Sequence, residues 1–376
     1  MDSTLFVHRS LDELAAVEGA WDELAVRARS PFLSYQWLRS WSKAFAKPEG
    51  IAVAVMNPDR GLGGAACLCA SPGRLLTAAA NQYSECWDVV AVDDSARKLI
   101  WRGVAELGAA RLRLPALPAT SPSVSLAPEV LRAAGYRIAI RPDRASPYLP
   151  LPGSWDELLT MLSSNLRAQV RYSHNRLRRE GSLVFRTTRG GSQLESDLDR
   201  FFSLEGSGWK GRAGSAIRSD PRSLSLFTDF ARAAARRGWL RLHFLELDGV
   251  PVAGDYGCVL GGGSFLIKTA FDERYARLSP GLALRAEAIR AAIDEGLDFY
   301  DFLGQTEWYK LRWTRELHER VVIQAYRGLS GLPALVYRHK PGAAGRGLTA
   351  GWRAEAVTKT ARYGPRGSTT PQPRRR

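Results

Sequence analysis

The chain is 376 residues long, with 53 Lys and Arg against 38 Asp and Glu, a formal net charge of +15 and a hydrophobic share of 45%. That length accommodates two domains of ordinary size, and the apolar share is that of a globular protein. No stretch approaches the roughly 18 uninterrupted apolar residues of a membrane-spanning helix, and the opening MDSTLFVHRSLDEL lacks the pattern of a secretion signal, so a cytoplasmic location is expected.

The positive charge is local. From Ser330 onward ten Lys and Arg stand against Glu355 alone, and from Asn165 to Gly190 seven Arg stand against Glu180. The tail, ending GSTTPQPRRR, loses apolar periodicity and is expected to be largely disordered over 331–376, a solvated end or a contact for an anionic surface. Arginine is the default cation, with 45 against only eight lysines; Lys210, Lys268 and Lys310 are the ones set among aromatic or glycine residues. Cys67 and Cys69 alternate along an apparent strand, so they share a face and are expected to be buried thiols. No HExxH or zinc spacing is present, and no metal is expected.

In chain order, Leu11–Val26 and Ser95–Leu107 carry helical signals around a hairpin of IAVAVMN and GAACLCA. RLRL, a helix near Val130 and the strand GYRIAI follow. RPDRASPYLPLPGS, with four prolines, reads as an extended connection, and a domain boundary is placed there, dividing 1–150 from 151–330. Ser154 precedes the helix WDELLTML. A longer helix, NLRAQVRYSHNRLRRE, stops at Gly181. Its Leu166, Val170, Ser173 and Leu177 share one face; Arg167, Arg171, His174 and Arg178 share the neighbouring one. LESDLDRFFSLE is helical and leads into the glycine-rich GSGWKGRAGSAI, a candidate lid over a site. Asp220 and Pro221 open a helix that ends at Gly238.

Next come WLRLHFLEL, a tight Asp248-Gly249 turn, PVAGDYGCVL, a GGG turn and SFLIKTAFD: an antiparallel meander. Ser279-Pro280-Gly281 starts a helix with Leu282, Ala286, Ile289 and Ile293 as its apolar stripe, and LDFYDFL follows as a strand. A helix between two strands normally makes them parallel. The expected class is α/β with mixed sheets. The first amides of the Ser279 helix lack helical acceptors, and with the helix dipole they suit a pyrophosphate. Gly206-Ser-Gly208-Trp-Lys-Gly211 matches GxGxxG but lacks the preceding strand and following helix of a dinucleotide site.

The segment from about 155 to 325 resembles the BioF2-like or CelD-like acyltransferase branch of the GNAT superfamily, which is related to Fem-type peptidyl ligases. The matching words are NLRAQVRYSHNRLRREG, LEGSGWKGRAGSAI, PVAGDYG, KTAFDERYARLSPGLAL and YDFLGQTEWYKLRW. The N-terminal half resembles the second, degenerate GNAT-like lobe of these proteins, giving tandem lobes. The resemblance implies an acyl thioester such as acetyl-CoA in a V between the third meander strand and the strand after the helix. It implies backbone donors along Lys268, Thr269 and Ala270, and pyrophosphate at Ser279, Pro280, Gly281 and Leu282. The GNAT phosphate loop reads R/Q-x-x-G-x-G/A. Here RLSPGLA places Pro280 and Leu282 at the two glycine positions, as in Fem-type relatives, whose donor is an aminoacyl-tRNA.

Fem-type ligases carry an aromatic–Lys–x–x–aromatic word after the same strand, and Tyr309-Lys310-Leu311-Arg312-Trp313 has that form. The resemblance implies that Lys310 aims its ammonium at a phosphate or an acyl carbonyl. Acyl transfer to an amine also needs a base, for which Asp255 and Asp301 are candidates, and a proton donor, for which Tyr309 and Tyr275 are candidates. Trp209, Lys210 and Arg212 are placed at the acceptor. The Arg167, Arg171 and Arg178 face is either solvated or a contact for a phosphate-bearing acceptor or tRNA. The leading expectation is an acyl-CoA-dependent N-acyltransferase acting on an amine such as an amino sugar or an envelope precursor. The rivals are an aminoacyl-tRNA-dependent ligase and a lobe without catalysis that binds an anionic polymer.

Overall fold

The computed structural model describes residues 4–45, 50–57 and 61–328; the expected basic tail lies outside them. The chain opens with β1 (Thr4–His8), and after a 3-10 turn at Leu11–Val17 come α1 (Glu18–Arg27) and α2 (Tyr35–Phe45). The helix expected over Leu11–Val26 is therefore broken. Ser10 and Glu13 close a capping box on the 3-10 turn, and the α-helix proper begins only at Glu18. Strands β2 (Gly50–Asn57), β3 (Gly61–Ser71), β4 (Leu75–Ala78) and β5 (Val90–Ala91) follow. Then come α3 (Asp94–Glu106), capped by the Asp93 carboxylate, β6 (Arg111–Pro118), α4 (Ser123–Ala133) and β7 (Tyr136–Pro142). Cys67 and Cys69 are both free thiols, Cys67 buried and Cys69 half-buried.

The proline-rich stretch expected to be a mere connection contains β8 (Ser146–Pro150). Its two ends pair with different neighbours, Ser146–Pro147 with Leu317–His318 and Tyr148–Pro150 with Phe299–Asp301, and each of these short pairings has its proline at the end of the run. Helices α5 (Trp155–Met161) and α6 (Ser164–Glu180), each capped by a serine hydroxyl, come next. After them lie β9 (Leu183–Thr188), α7 (Leu194–Ser207), the single turn α8 (Trp209–Arg212) and α9 (Pro221–Arg236). The meander is β10 (Leu240–Leu247), β11 (Val250–Leu260) and β12 (Gly263–Phe271). Asp248 and Gly249 both take positive φ at its first turn, as do Gly261 and Gly262 at its second. Helix α10 (Pro280–Asp294) crosses over to β13 (Phe299–Asp301), and β14 (Leu317–His318) and β15 (Arg320–Arg327) end the described chain.

Two mixed sheets result. One has the order β1-β2-β3-β4-β6-β15-β7, with β5 also on β3; the other runs β14-β8-β13-β12-β11-β10-β9. The chain crosses between them more often than a cut at 150/151 suggests. Strand β8 already belongs to the second sheet, and β15 returns to the first, wedged antiparallel between β6 and β7. The sheets also share a core. Trp37 of α2 meets Phe230 of α9 edge-to-face with ring centroids 4.9 Å apart, and both are fully buried.

The crossover through α10 makes β12 and β13 parallel, as the sequence pattern predicts. Their pairing covers only Gly263–Phe265 against Phe299–Asp301. It is seated by Gly263, where an added Cβ would lie 2.3 Å from Cζ of Phe299. That ring is itself held edge-on by Tyr148 and Phe265. Gly263→Ala is expected to lower stability by about 1–3 kcal/mol. The check is the midpoint of urea unfolding; an unshifted midpoint would show that the ring gives way freely.

Candidate active site at the parting of two parallel strands

Beyond Phe265 and Asp301 the two strands separate. Strand β12 continues to Phe271 against β11 alone, while the chain after Asp301 turns away. The turn is built from unusual backbone. Leu303 and Gly304 both have positive φ, and for a leucine that conformation is costly. Two side chains hold it. The Asp301 carboxylate accepts from the Leu303 amide at 2.8 Å, and the Lys310 ammonium donates to the Leu303 carbonyl at 2.6 Å.

Lys310 therefore does not aim at an open cleft. Its ammonium has three donors, and three acceptors surround it: Leu303 O, Gln305 O at 3.2 Å and the Glu307 carboxylate at 2.7 Å. The residue is only 4% exposed. The expected direction toward a phosphate or acyl carbonyl is replaced by a clamp on the 303–307 loop, because the Leu303 carbonyl is buried and needs a donor.

The two candidate bases are also engaged. Asp255, 1% exposed on β11, receives both ends of the Arg285 guanidinium at 2.7 and 3.0 Å. Asp301 accepts from Leu303 and faces Nδ1 of His318 at 2.9 Å, and His318 stacks flat on Tyr148. Neither carboxylate is free to take a proton from an acceptor in this arrangement. Arg285 also donates to the Tyr300 hydroxyl and reaches Thr269 Oγ1 at 3.4 Å. It thus braces β11, β12 and β13 together from the α10 face. Tyr309, 39% exposed, stands near this group, and burial, followed by the Glu307 charge, pushes its phenol up to about 12.

On the opposite face of β12 sits Lys268. Its ammonium lies 4.7 Å from the Tyr83 ring centroid and 5.4 Å from that of Phe227, and among the described residues it has no hydrogen-bond or ion-pair partner. Burial, and then the charge of Lys210, depress it to about 8; Glu205 and Glu85 act the other way. Lys210 itself is committed. It donates to the Thr269 carbonyl at 2.8 Å and pairs with buried Glu205 at 3.3 Å. Glu85, from the first lobe, keeps Oε2 buried without a hydrogen bond, its nearest cation being Arg144 at 3.7 Å. Ala270 is buried on β12 beside this group.

The glycine-rich segment is not a loose flap. The α8 turn is tied to Glu273, which accepts from the Trp209 amide at 2.7 Å and from Arg212 at 2.8 Å. The Trp209 side chain is 51% exposed. Tyr275 lies half-buried on the segment joining β12 to α10. At the α10 opening, Ser279 is left-handed, and its carbonyl accepts from both Leu282 and Ala283 amides. Pro280 has no N–H, so Gly281 alone offers an amide without an acceptor among the described residues. Arg167 and Arg171 lie on the outer side of α6, away from β12 and near α10.

Residues that the sequence reading passed over complete the group: Arg285, Glu205, Tyr83 and Glu85. Arg285 was detectable as a cation next to Ala286 within the apolar stripe of α10. Tyr83 and Glu85 carried no signal, because only the packing of the first lobe onto β12 brings them there. Among the described residues no cluster of His, Cys, Asp or Glu is placed to hold a metal, and no helix is long and apolar enough to cross a membrane.

Two outcomes follow from these contacts. A titration of isotopically labelled lysines is expected to give Lys268 a midpoint near pH 8, and Lys210→Met to raise it, since removing a like charge favours the ammonium. A midpoint above 10 would show that the amine is hydrated. Lys310→Met, which leaves the buried Leu303 carbonyl without its side-chain donor and frees Gln305 and Glu307, is expected to cost about 1–3 kcal/mol and to strip hydrogen-exchange protection from residues 303–311. Unchanged protection there would disprove the clamp.

Residues 164–311 match the acetyltransferase (GNAT) domain family. No curated protein matches the sequence. Among solved structures, the chain is similar to FemX, at 15% identity over 89% of this chain and 100% of that one, with a TM-score of 0.59. It is also similar to the C-terminal domain of a putative lysylphosphatidylglycerol synthetase from Agrobacterium fabrum, at 13% identity over 87% and 95%, TM-score 0.57. A third is L-PGS from Bacillus licheniformis, at 14% identity over 74% and 85%, TM-score 0.50. The parted parallel strands thus lie within the segment that matches the acetyltransferase (GNAT) domain family, in a chain whose fold is mixed α/β with two mixed sheets.

Proposed function

We propose that the protein is an N-acyltransferase of the BioF2-like branch, moving an acyl group from acyl-CoA to an amine such as that of an amino sugar or an envelope precursor. The observation that carries this reading is the parting of β12 and β13 after three paired residues. It leaves the Leu266–Phe271 edge open to an extended thioester, whose carbonyl lies against strand amides. The GNAT match over the same residues supports it.

In this reading the acceptor amine comes from the Lys268 side, where rings and carboxylates from both lobes converge. The amine attacks the thioester carbonyl, a C–N bond forms, and the tetrahedral oxyanion is met by strand N–H groups along residues 266–270. The C–S bond then breaks and the thiolate takes a proton, for which the Tyr309 phenol is the nearest candidate. Lys268 with a pKa near 8 is substantially neutral at slightly alkaline pH and takes the proton lost by the acceptor. Lys310, Asp301 and the Arg285–Asp255 pair act as positioning residues that keep the strands apart.

A second reading has its own observation. The α10 opening offers one amide rather than a nest, which weakens its hold on a pyrophosphate and favours a donor held elsewhere, such as an aminoacyl-tRNA. The shared fold with FemX is compatible with it.

Incubation with acetyl-CoA and a panel of primary amines, with released thiol as the readout, decides between them. Amine-dependent thiol release is expected, with Lys268→Met reducing kcat at least tenfold at unchanged melting temperature. The rising, acid-side limb of the pH profile is expected near 8 in the wild type, because Lys268 must lose its proton to act as the base. Absence of thiol release, together with RNase-sensitive transfer from aminoacyl-tRNA, would replace the first reading by the second.

A further inference from the structure

A cleft of about 370 Å3 opens on the far side of the second sheet, between α5, α6 and α10. Its floor is apolar, with Val170 and Ala286 buried and Leu159 half-buried, and the Trp155 indole stands half-buried at one wall. Its rim is cationic. Arg171 and Arg178 project from α6 and Arg290 from α10. All three are exposed, and none has an ion pair or hydrogen bond among the described residues. Arg167 adds a fourth guanidinium, pinned by the Leu159 carbonyl at 2.7 Å and that of Leu162 at 3.1 Å. The one acid in the lining, Glu287, is turned to His174 at 3.3 Å.

This arrangement is unusual for the chain. Another open cavity, of about 590 Å3 beside α7 and α8, has its arginines neutralised internally: Arg212 by Glu273 at 2.8 Å, Arg274 by Asp272 at 2.6 Å and Arg200 by Glu246 at 2.9 Å. On α6 beside the cleft Arg167 and Arg171 stand four residues apart on one helix face, with Arg178 two turns further on, and none of the three has an acidic partner among the described residues. Like charges at that spacing oppose the helix they sit on. An anion bound among them removes that repulsion.

We propose that the cleft between α5, α6 and α10 binds a nucleoside phosphate, with the base against Trp155 and the phosphates among Arg171, Arg178 and Arg290. Guanidinium groups suit phosphate oxygens because they donate in pairs. The volume is that of a single small-molecule site, and its apolar floor under a cationic rim matches a flat ring carrying phosphates rather than a phosphate alone. The site lies along the body of α10, not at its opening, and the inference does not depend on the transfer reaction.

Calorimetric titration of the full chain with ADP, UDP and inorganic pyrophosphate tests it. Saturable one-site binding of a nucleotide is expected. An Arg171→Gln/Arg290→Gln double variant should raise Kd at least tenfold at an unchanged melting temperature, and Trp155→Ala should weaken the nucleotide but not pyrophosphate. A repeat with acetyl-CoA present separates two sources of the same chemistry. Displacement of ADP assigns the cleft to the nucleotide end of a thioester donor, and simultaneous binding assigns it to a free nucleotide. No saturable nucleotide binding, or a Kd indifferent to the double variant, overturns the proposal. So does a short RNA that binds with steep salt dependence where the mononucleotides do not.

Discussion

The cleft exists because β13 is made to stop. A parallel strand beside β12 would go on pairing as long as its backbone stayed extended; a buried ammonium and a buried carboxylate prevent it. Asp301 catches the amide of Leu303 and Lys310 catches its carbonyl, so a bulky residue is held in a left-handed conformation it would otherwise avoid. Arg285 meets the opposite requirement, tying Asp255, Thr269 and Tyr300 so that the apex stays closed while the mouth stays open. Burying those charges is worthwhile only because every donor and acceptor in the clamp is matched, and such matched pairs specify one geometry better than they add stability.

Much of this was legible from the sequence, and the exceptions have physical causes. The meander, the crossover helix and the parallel partner follow from Asp248-Gly249, from the glycines after Leu260 and from Ser279-Pro280, all residues whose backbone preferences are local. The core face of α6 follows from Leu166, Val170, Ser173 and Leu177, all buried. Strand β8 was hidden because prolines conceal a short run that pairs. Strands β9 and β15 were hidden because their partners lie far away in the chain. The direction of the Lys310 side chain was illegible for a related reason. The word around it resembles a functional motif, but only the path of residues 303–307 shows where three carbonyl and carboxylate oxygens wait.

The same limit applies to the acceptor side. Lys268 stood out as a rare lysine on the third meander strand, yet its chemical character comes from Tyr83, Phe227, Glu205 and Glu85, drawn from both lobes. Its depressed pKa is a tertiary property: rings displace water from the ammonium, and Lys210 repels it, while the nearest carboxylates are too few or too occupied to compensate. The first lobe is therefore more than a scaffold, since removing it would return the amine to solvent.

The placement of β15 bears on how the molecule comes into being. Strands β6 and β7 leave a gap that only residues 320–327 fill, and those residues are made after the whole of the second sheet. During synthesis the amino-terminal layer must wait, with two unsatisfied strand edges, until its carboxy-terminal neighbour has emerged from the ribosome. The later-made half is thus the first able to complete its hydrogen-bonded ladder, and its final strand stitches the earlier half shut.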